Sequence, residues 1–323
     1  MKNYRIRRSV ALALVLLLAL VNSACVDLAA IQKFTASATE IGKRFPNLAN
    51  DLSASCKRQH IYQEVRAAQF QPDRLRAITH PDPDSEEMTK LDGQCKQFTE
   101  QQKRLIEANA VLINYLATMG DLAADDLTSY DKGLEGLGSS FTKGNIFNDA
   151  EVSAVQGLVG FLLKAASEGY RRKKLKSALE DQNSHIQTLT KALRRLVAQN
   201  YILQLQNERD EMRNYYSTSI LLYRDYMRQL VARTAEERAQ QGQLVQDPLP
   251  IIQVKRLWDD EETEIAKKIE AANAYAKALD SIAEGHQKLY ESRNNLGSKE
   301  VVRTALTYAK TIQSVVEDFR KAF

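Results

Sequence analysis

Glycine and proline are scarce in this chain of 323 residues, 13 and 6 in all, and they cluster. These two residues punctuate secondary structure most strongly, so long intervals without them exclude a fold made of many short elements. No stretch alternates apolar and polar residues with period two, which excludes a half-buried sheet. Three cysteines are too few for a disulfide-dense scaffold. Four histidines, His60, His80, His185 and His286, are too scattered to propose as a metal set. The chain has no HExxH, no GxSxG, no phosphate-cradling GxxxxGK and no CxxC, the spacings that set a base, a nucleophile or a ligand pair. Asp82, Asp84, Glu86 and Glu87 resemble part of a calcium loop, but Glu87 stands where the sharp turn needs glycine. No catalytic residue, cofactor or metal is expected, and the chain reads as a non-enzyme.

Long apolar runs are also missing, with one informative exception. Val10 to Val21 is unbroken, twelve residues that span about 18 Å as helix, short of a hydrocarbon core of about 30 Å. Lys2, Arg5, Arg7 and Arg8 precede it with no acid among them, and small residues follow, the three parts of an export signal.

Ser23-Ala24-Cys25 closes that run and resembles the cleavage and lipidation site of a bacterial lipoprotein; Asn22 occupies a position that usually carries a branched apolar residue. The resemblance implies removal of residues 1–24 and acylation of Cys25. One acyl chain binds a membrane only marginally, at about 0.8 kcal/mol per buried CH₂. Lipoproteins of this kind carry two or three, so the tether would be close to permanent. Val26, where an aspartate would signal retention in the inner membrane, implies the outer membrane, facing the periplasm. An unlipidated secreted protein is the alternative.

Loss of residues 1–24 would remove four basic residues from a chain of net charge +4 and leave it near neutral. A general preference for nucleic acid then has no support. With Cys25 acylated, an oxidising compartment allows one pairing, Cys56 with Cys95; two free buried thiols are the alternative.

What is abundant is helical periodicity. Residues 25–84 read as the lipid anchor and an N-terminal helical segment. Leu28, Ile31, Phe34, Ile41 and Phe45 make a stripe that Pro46 should interrupt. Leu52, Cys56, Tyr62 and Val65 resume it, and Gln71 to Asp84, with three prolines, should be an exposed loop. Residues 85–323 read as the bundle proper. In a helix over 85–135, Leu91, Cys95, Phe98, Gln102, Leu105, Asn109, Leu112, Leu116, Met119, Ala123, Asp126 and Tyr130 recur in steps of four and three, the heptad of helices packed lengthwise. Gly133, Gly136, Gly138 and Gly144 should form a turn. Asn148 with Glu151 is a capping box for a helical pattern over 150–243, with a break expected near Gly169. Its seam runs Leu175, Leu179, Gln182, Ile186, Leu189, Leu193, Leu196, Asn200 and Leu203, then continues slightly out of phase at Met212, Tyr216, Ile220, Tyr223, Met227 and Leu230. Helices over 251–295 and 299–321 follow the stop at Asp247-Pro248-Leu249-Pro250. The expected fold is all-α, an elongated antiparallel bundle with coiled-coil-like packing.

Two clusters are candidate membrane or partner contacts: Phe141, Ile146 and Phe147 on the glycine-rich turn, and the basic group Arg171, Arg172, Lys173, Lys174 and Lys176. Between them, Val152 to Ala166 is apolar on nearly every face, which places it in a bundle core or in lipid. The expected function is an outer-membrane-tethered scaffold or interaction module with protein partners, of unassigned oligomeric state. The alternative is a membrane-active protein that inserts residues 141–176.

Overall fold

The computed structural model describes residues 2–68, 71–79, 86–126, 141, 146–237 and 249–320, with the side chains of 2–27, 72, 75, 77, 79, 227, 230–237, 249 and 318, and so the expected seam positions Met227 and Leu230, outside that description. Regular structure among them is helical: α1 (Lys2–Ala68), α2 (Pro72–Thr79), α3 (Glu86–Ala124), α4 (Asp149–Ser167), α5 (Leu175–Leu196), α6 (Ile202–Glu237), α7 (Leu249–Glu291) and α8 (Lys299–Arg320). A 3-10 turn, Arg172–Lys174, leads into α5, and a π-turn, Val197–Tyr201, joins α5 to α6. The fold is all-α, a bundle of helices packed against each other.

The chain forms two compact units: Met1–Pro46 with Arg104–Val197 and Asn273–Arg320, and Asn47–Lys103 with Ala198–Ala272 and Lys321–Phe323. Residues 25–84 therefore do not stand apart as a separate segment, because α1 supplies core residues to both units. In the first unit Ile31, Phe34, Ile41 and Phe45 are buried with Leu112, Leu116 and Met119 of α3 and Ile312 and Val316 of α8. The second unit buries Leu48, Leu52, Leu205 and Met212. Each such side chain contributes about 1.5–3 kcal/mol on leaving water. These apolar seams, more than intrinsic propensity, keep the long helices formed.

Pro46 does not interrupt α1, against the expectation from sequence. A proline inside a helix leaves the carbonyl four residues back without its donor. Here that carbonyl belongs to Gly42, and the Asn109 side chain of α3 donates to it instead, at 2.8 Å. Asn109 in turn accepts from the Tyr275 hydroxyl at 2.7 Å, and the Tyr275 ring stacks on Phe45 with centroids 4.6 Å apart. A polar side chain from the neighbouring helix thus replaces the lost backbone bond. Close approach of α7 to α1 depends on Gly285, where a Cβ would sit 2.5 Å from the Phe34 ring.

Two further boundaries depart from the sequence reading. Residues 71–84 are not all loop: Pro72 opens α2, its fixed φ suiting the first helical position, and Asp73 follows in the first turn. Helix α3 stops at Ala124, so Asp126 lies beyond it. Asp125 takes a left-handed conformation (φ 66°), its N–H bonding Leu122 O, while Asp126 N–H reaches back to Asp121 O at 2.9 Å. Tyr130 and the four turn glycines fall outside the described residues. The expected break at Gly169 is present, with φ 59° and Tyr170 N–H donating to Ala165 O, and α4 then packs against α5.

The π-turn was not expected, yet it explains the phase slip. It inserts one extra residue, so the buried stripe moves to Val197, Tyr201, Leu205, Met212 and Tyr216. Leu203, expected in the seam, is 53% exposed. In α7 the buried stripe runs through Ile265, Ala272, Tyr275, Leu279, Ile282, His286 and Leu289.

His286 lies in the first unit's core. Its Nε2 accepts from the Tyr115 hydroxyl at 2.7 Å, so its Nδ1 carries the proton, donated to Asn183 Oδ1 at 3.0 Å. Burial pushes the imidazole down to about 3. The folded chain therefore rejects a proton that the unfolded chain takes up near pH 6.5. Stability is fully present above pH 6.5 and falls as pH drops toward 3, by up to ~1.4 kcal/mol per pH unit. Urea unfolding should lose about 1.5 kcal/mol between pH 6.5 and 5, and His286→Gln should flatten that slope. An unchanged slope in the variant would remove His286 as its source.

Candidate functional site

The two clusters picked out by sequence both lie in the first unit. Phe141 and Phe147 are buried and meet edge to face, with centroids 5.5 Å apart. Arg104 lies over the Phe141 ring, and Gln156 donates to the Phe141 carbonyl at 3.3 Å. Ile146 is half-buried; its carbonyl accepts from Arg195 at 3.0 Å, and Arg195 also pairs with Glu151 at 2.9 Å. The capping box of Asn148 and Glu151 forms as expected. Both aromatic rings are buried, so neither side chain is exposed on the surface of this unit. Val152, Val155, Leu158 and Leu162 of α4 are buried as well, so the stretch that is apolar all round lies in the core.

Part of the basic cluster closes the end of α3. Arg171 donates to Asp125 O at 3.0 Å, Arg172 N–H to Asp125 Oδ1 at 3.1 Å, and the Arg172 guanidinium to Ala123 O at 3.4 Å. Cations belong there, where unpaired carbonyls carry the negative end of the helix dipole. Lys174 lies over the Tyr170 ring at 5.0 Å, and Lys173 and Lys176 are exposed.

The second unit holds one arrangement that sequence reading missed and one, the Cys56–Cys95 pair, that it expected without the histidine beside it. The first is a buried charge network around the π-turn. Asp51 accepts from Arg58 at 3.0 and 3.2 Å, from Lys268 at 3.1 Å and from Tyr201 at 2.8 Å. Glu208, its side chain 2% exposed, accepts from Arg58 and Ser55. Burial raises the Asp51 carboxyl, but the Arg58 charge, Lys268 and the Tyr201 hydroxyl outweigh it and hold the group below its ordinary value. Two carboxylates against two cations leave this interior neutral.

The second is the cysteine pair. Cys56 of α1 and Cys95 of α3 are buried, with Cα atoms 5.9 Å apart and sulfurs at disulfide distance. One helical turn on, His60 brings its ring so close that one ligand atom from each of the three residues lies within 4.8 Å of the others. Beside them opens a cleft of about 310 Å³ lined by His60, Glu64, Arg74, Met88, Lys90 and Leu91, among others. Glu64 is held by Lys90 at 3.1 Å and by Arg74, which keep its carboxyl below the ordinary value. The signal for this trio was the i, i+4 spacing of Cys56 and His60, invisible while the histidines were compared only with one another.

The side chain of Cys25 lies outside the described residues. Among the described residues no helix is long and apolar enough to cross a membrane. Comparison with known protein families, with curated proteins and with solved structures finds no match to this chain.

Proposed function

We propose that this chain is a non-enzymatic helical lipoprotein of the outer membrane, tethered through acylated Cys25, whose helical surface engages protein partners in the periplasm. The observation that carries the partner reading is where exposed apolar surface occurs. Among the described residues, the large exposed hydrophobic side chains are Ile61, Leu203, Leu221, Tyr226, Ile252 and Leu257, and all belong to the second unit. Five of them lie on α6 and α7, which run antiparallel: Arg213 pairs with Glu262, and Tyr216 reaches Glu261 and stacks on Trp258. Apolar side chains gathered in one part of a surface mark interaction sites more often than scattered ones do. Burial of Leu158 and Phe161 in the other unit supports a scaffold over insertion of residues 141–176, since insertion would have to strip those side chains from the core.

Two measurements test it. Cys25→Ser should move the protein from the membrane to the soluble fraction, with loss of the acyl mass from the N-terminal peptide. A photoreactive residue at Tyr226 or Leu257 should capture a discrete protein in cells. Capture of lipid alone, with leakage of anionic vesicles by the purified protein, would return the membrane-active alternative. Unchanged fractionation of Cys25→Ser would end the tether.

A further inference from the structure

We propose that Cys56, His60 and Cys95 form a redox-gated binding site for a thiophilic d¹⁰ cation of the zinc class, occupied when the cysteine pair is reduced. Three facts carry it. The ligand atoms of the trio lie mutually within 4.8 Å, close enough for small side-chain rotations to bring them to the roughly 3.3–3.8 Å edges of one tetrahedral ion. Two ligands come from one turn of α1 and the third from α3, so the scaffold holds them without a loop. Among the described residues, His60 makes no hydrogen bond or ion pair, although its imidazole is half-buried beside two sulfurs. Its ring nitrogens are therefore committed to no protein group and can turn to an ion that enters from the cleft.

Charge decides the choice of ion. Two thiolates buried without a counter-charge would be driven back to thiols by desolvation. A divalent ion on two thiolates and a neutral imidazole makes an uncharged centre, as suited to this interior as the disulfide is. His60 also lines the cleft, which gives the ion an entry path and leaves a fourth position for water. Opening the site requires a dithiol reductant. It gives two electrons and two protons to the sulfur–sulfur bond, both cysteines leave as thiols, and the reductant closes to its own disulfide. The arriving cation then displaces the two thiol protons to solvent.

The test uses the full chain in detergent with Cys25→Ser, so that two thiols remain. After reduction and removal of the reductant, Co²⁺ should bind one per chain with thiolate-to-cobalt charge-transfer absorption, and Zn²⁺ should displace it. The oxidised chain should give no such absorption. Losing even an outer partner of a metal site costs about 10- to 100-fold in affinity, so His60→Ala, which removes a ligand, should weaken binding at least that much. Among the described residues that change removes no hydrogen bond or ion pair. Should the reduced chain lose helicity, added Zn²⁺ should restore it. No saturable Co²⁺ binding by the reduced chain, or equal affinity in His60→Ala, would overturn the proposal.

Discussion

Replacing Arg58 with alanine will destabilise the folded chain by about 3–5 kcal/mol, the range found when one partner of a buried ion pair is removed. The cost does not lie in the strength of its bonds. Arg58 is the shared partner of Asp51 and Glu208, whose side chains are 10% and 2% exposed. Without the guanidinium, Glu208 keeps only Ser55 among the donors described above, and Asp51 is left with Lys268 and Tyr201. Two carboxylates then face one cation in a desolvated interior. Urea unfolding should show the midpoint falling at unchanged slope, because the surface exposed on unfolding is the same. A loss below 1 kcal/mol would mean that the network opens to water in solution. Acid gives a second view of the network. The Asp51 carboxyl is held below its ordinary 3.8, so its contribution is intact above that value and lost as pH falls through the folded-state value. His286 acts at higher pH, between 6.5 and about 3, so the two groups separate along the acid limb.

How much of this was legible in sequence follows from the kind of interaction involved. Helix existence was readable because apolar side chains repeat at helical spacing, and Leu105, Leu112, Leu116 and Met119 occupy the buried face expected of them. Boundaries governed by a single residue's backbone were readable where glycine advertised them, as at Gly169, and hidden where a non-glycine took the left-handed conformation, as at Asp125. Continuity through Pro46 was hidden for another reason. It depends on a donor 63 positions further on, Asn109, which by itself reads as a register-fixing seam residue. The π-turn left a trace in the slipped phase of the seam, but a slip does not say where the extra residue sits. The charge network combines α1, the π-turn, α6 and α7, so no local window contains it. The same holds for the cysteine–histidine trio, whose halves lie 39 residues apart. Local pattern specifies what each helix buries; which polar groups meet is set by packing between helices distant in sequence.

Removing the cysteine pair, as Cys56→Ala with Cys95→Ala, should cost ~4 kcal/mol by the chain-entropy argument for a loop of this length. The two sulfurs join residues 39 apart across α1 and α3, so an oxidised pair restricts the unfolded chain while changing the native contacts little. That origin gives a signature different from that of Arg58→Ala. Freed of the cross-link, the unfolded chain expands and exposes more surface, so the urea slope should rise while the midpoint falls. Helicity of the native state should stay near that of the parent, because both positions sit inside continuous helices and alanine is the best helix former. Reduction of the parent protein should reproduce the shift without any substitution. If parent and reduced parent unfold at the same urea concentration, the pair does not cross-link the chain in solution, and Cys56 and Cys95 act as two buried thiols beside His60.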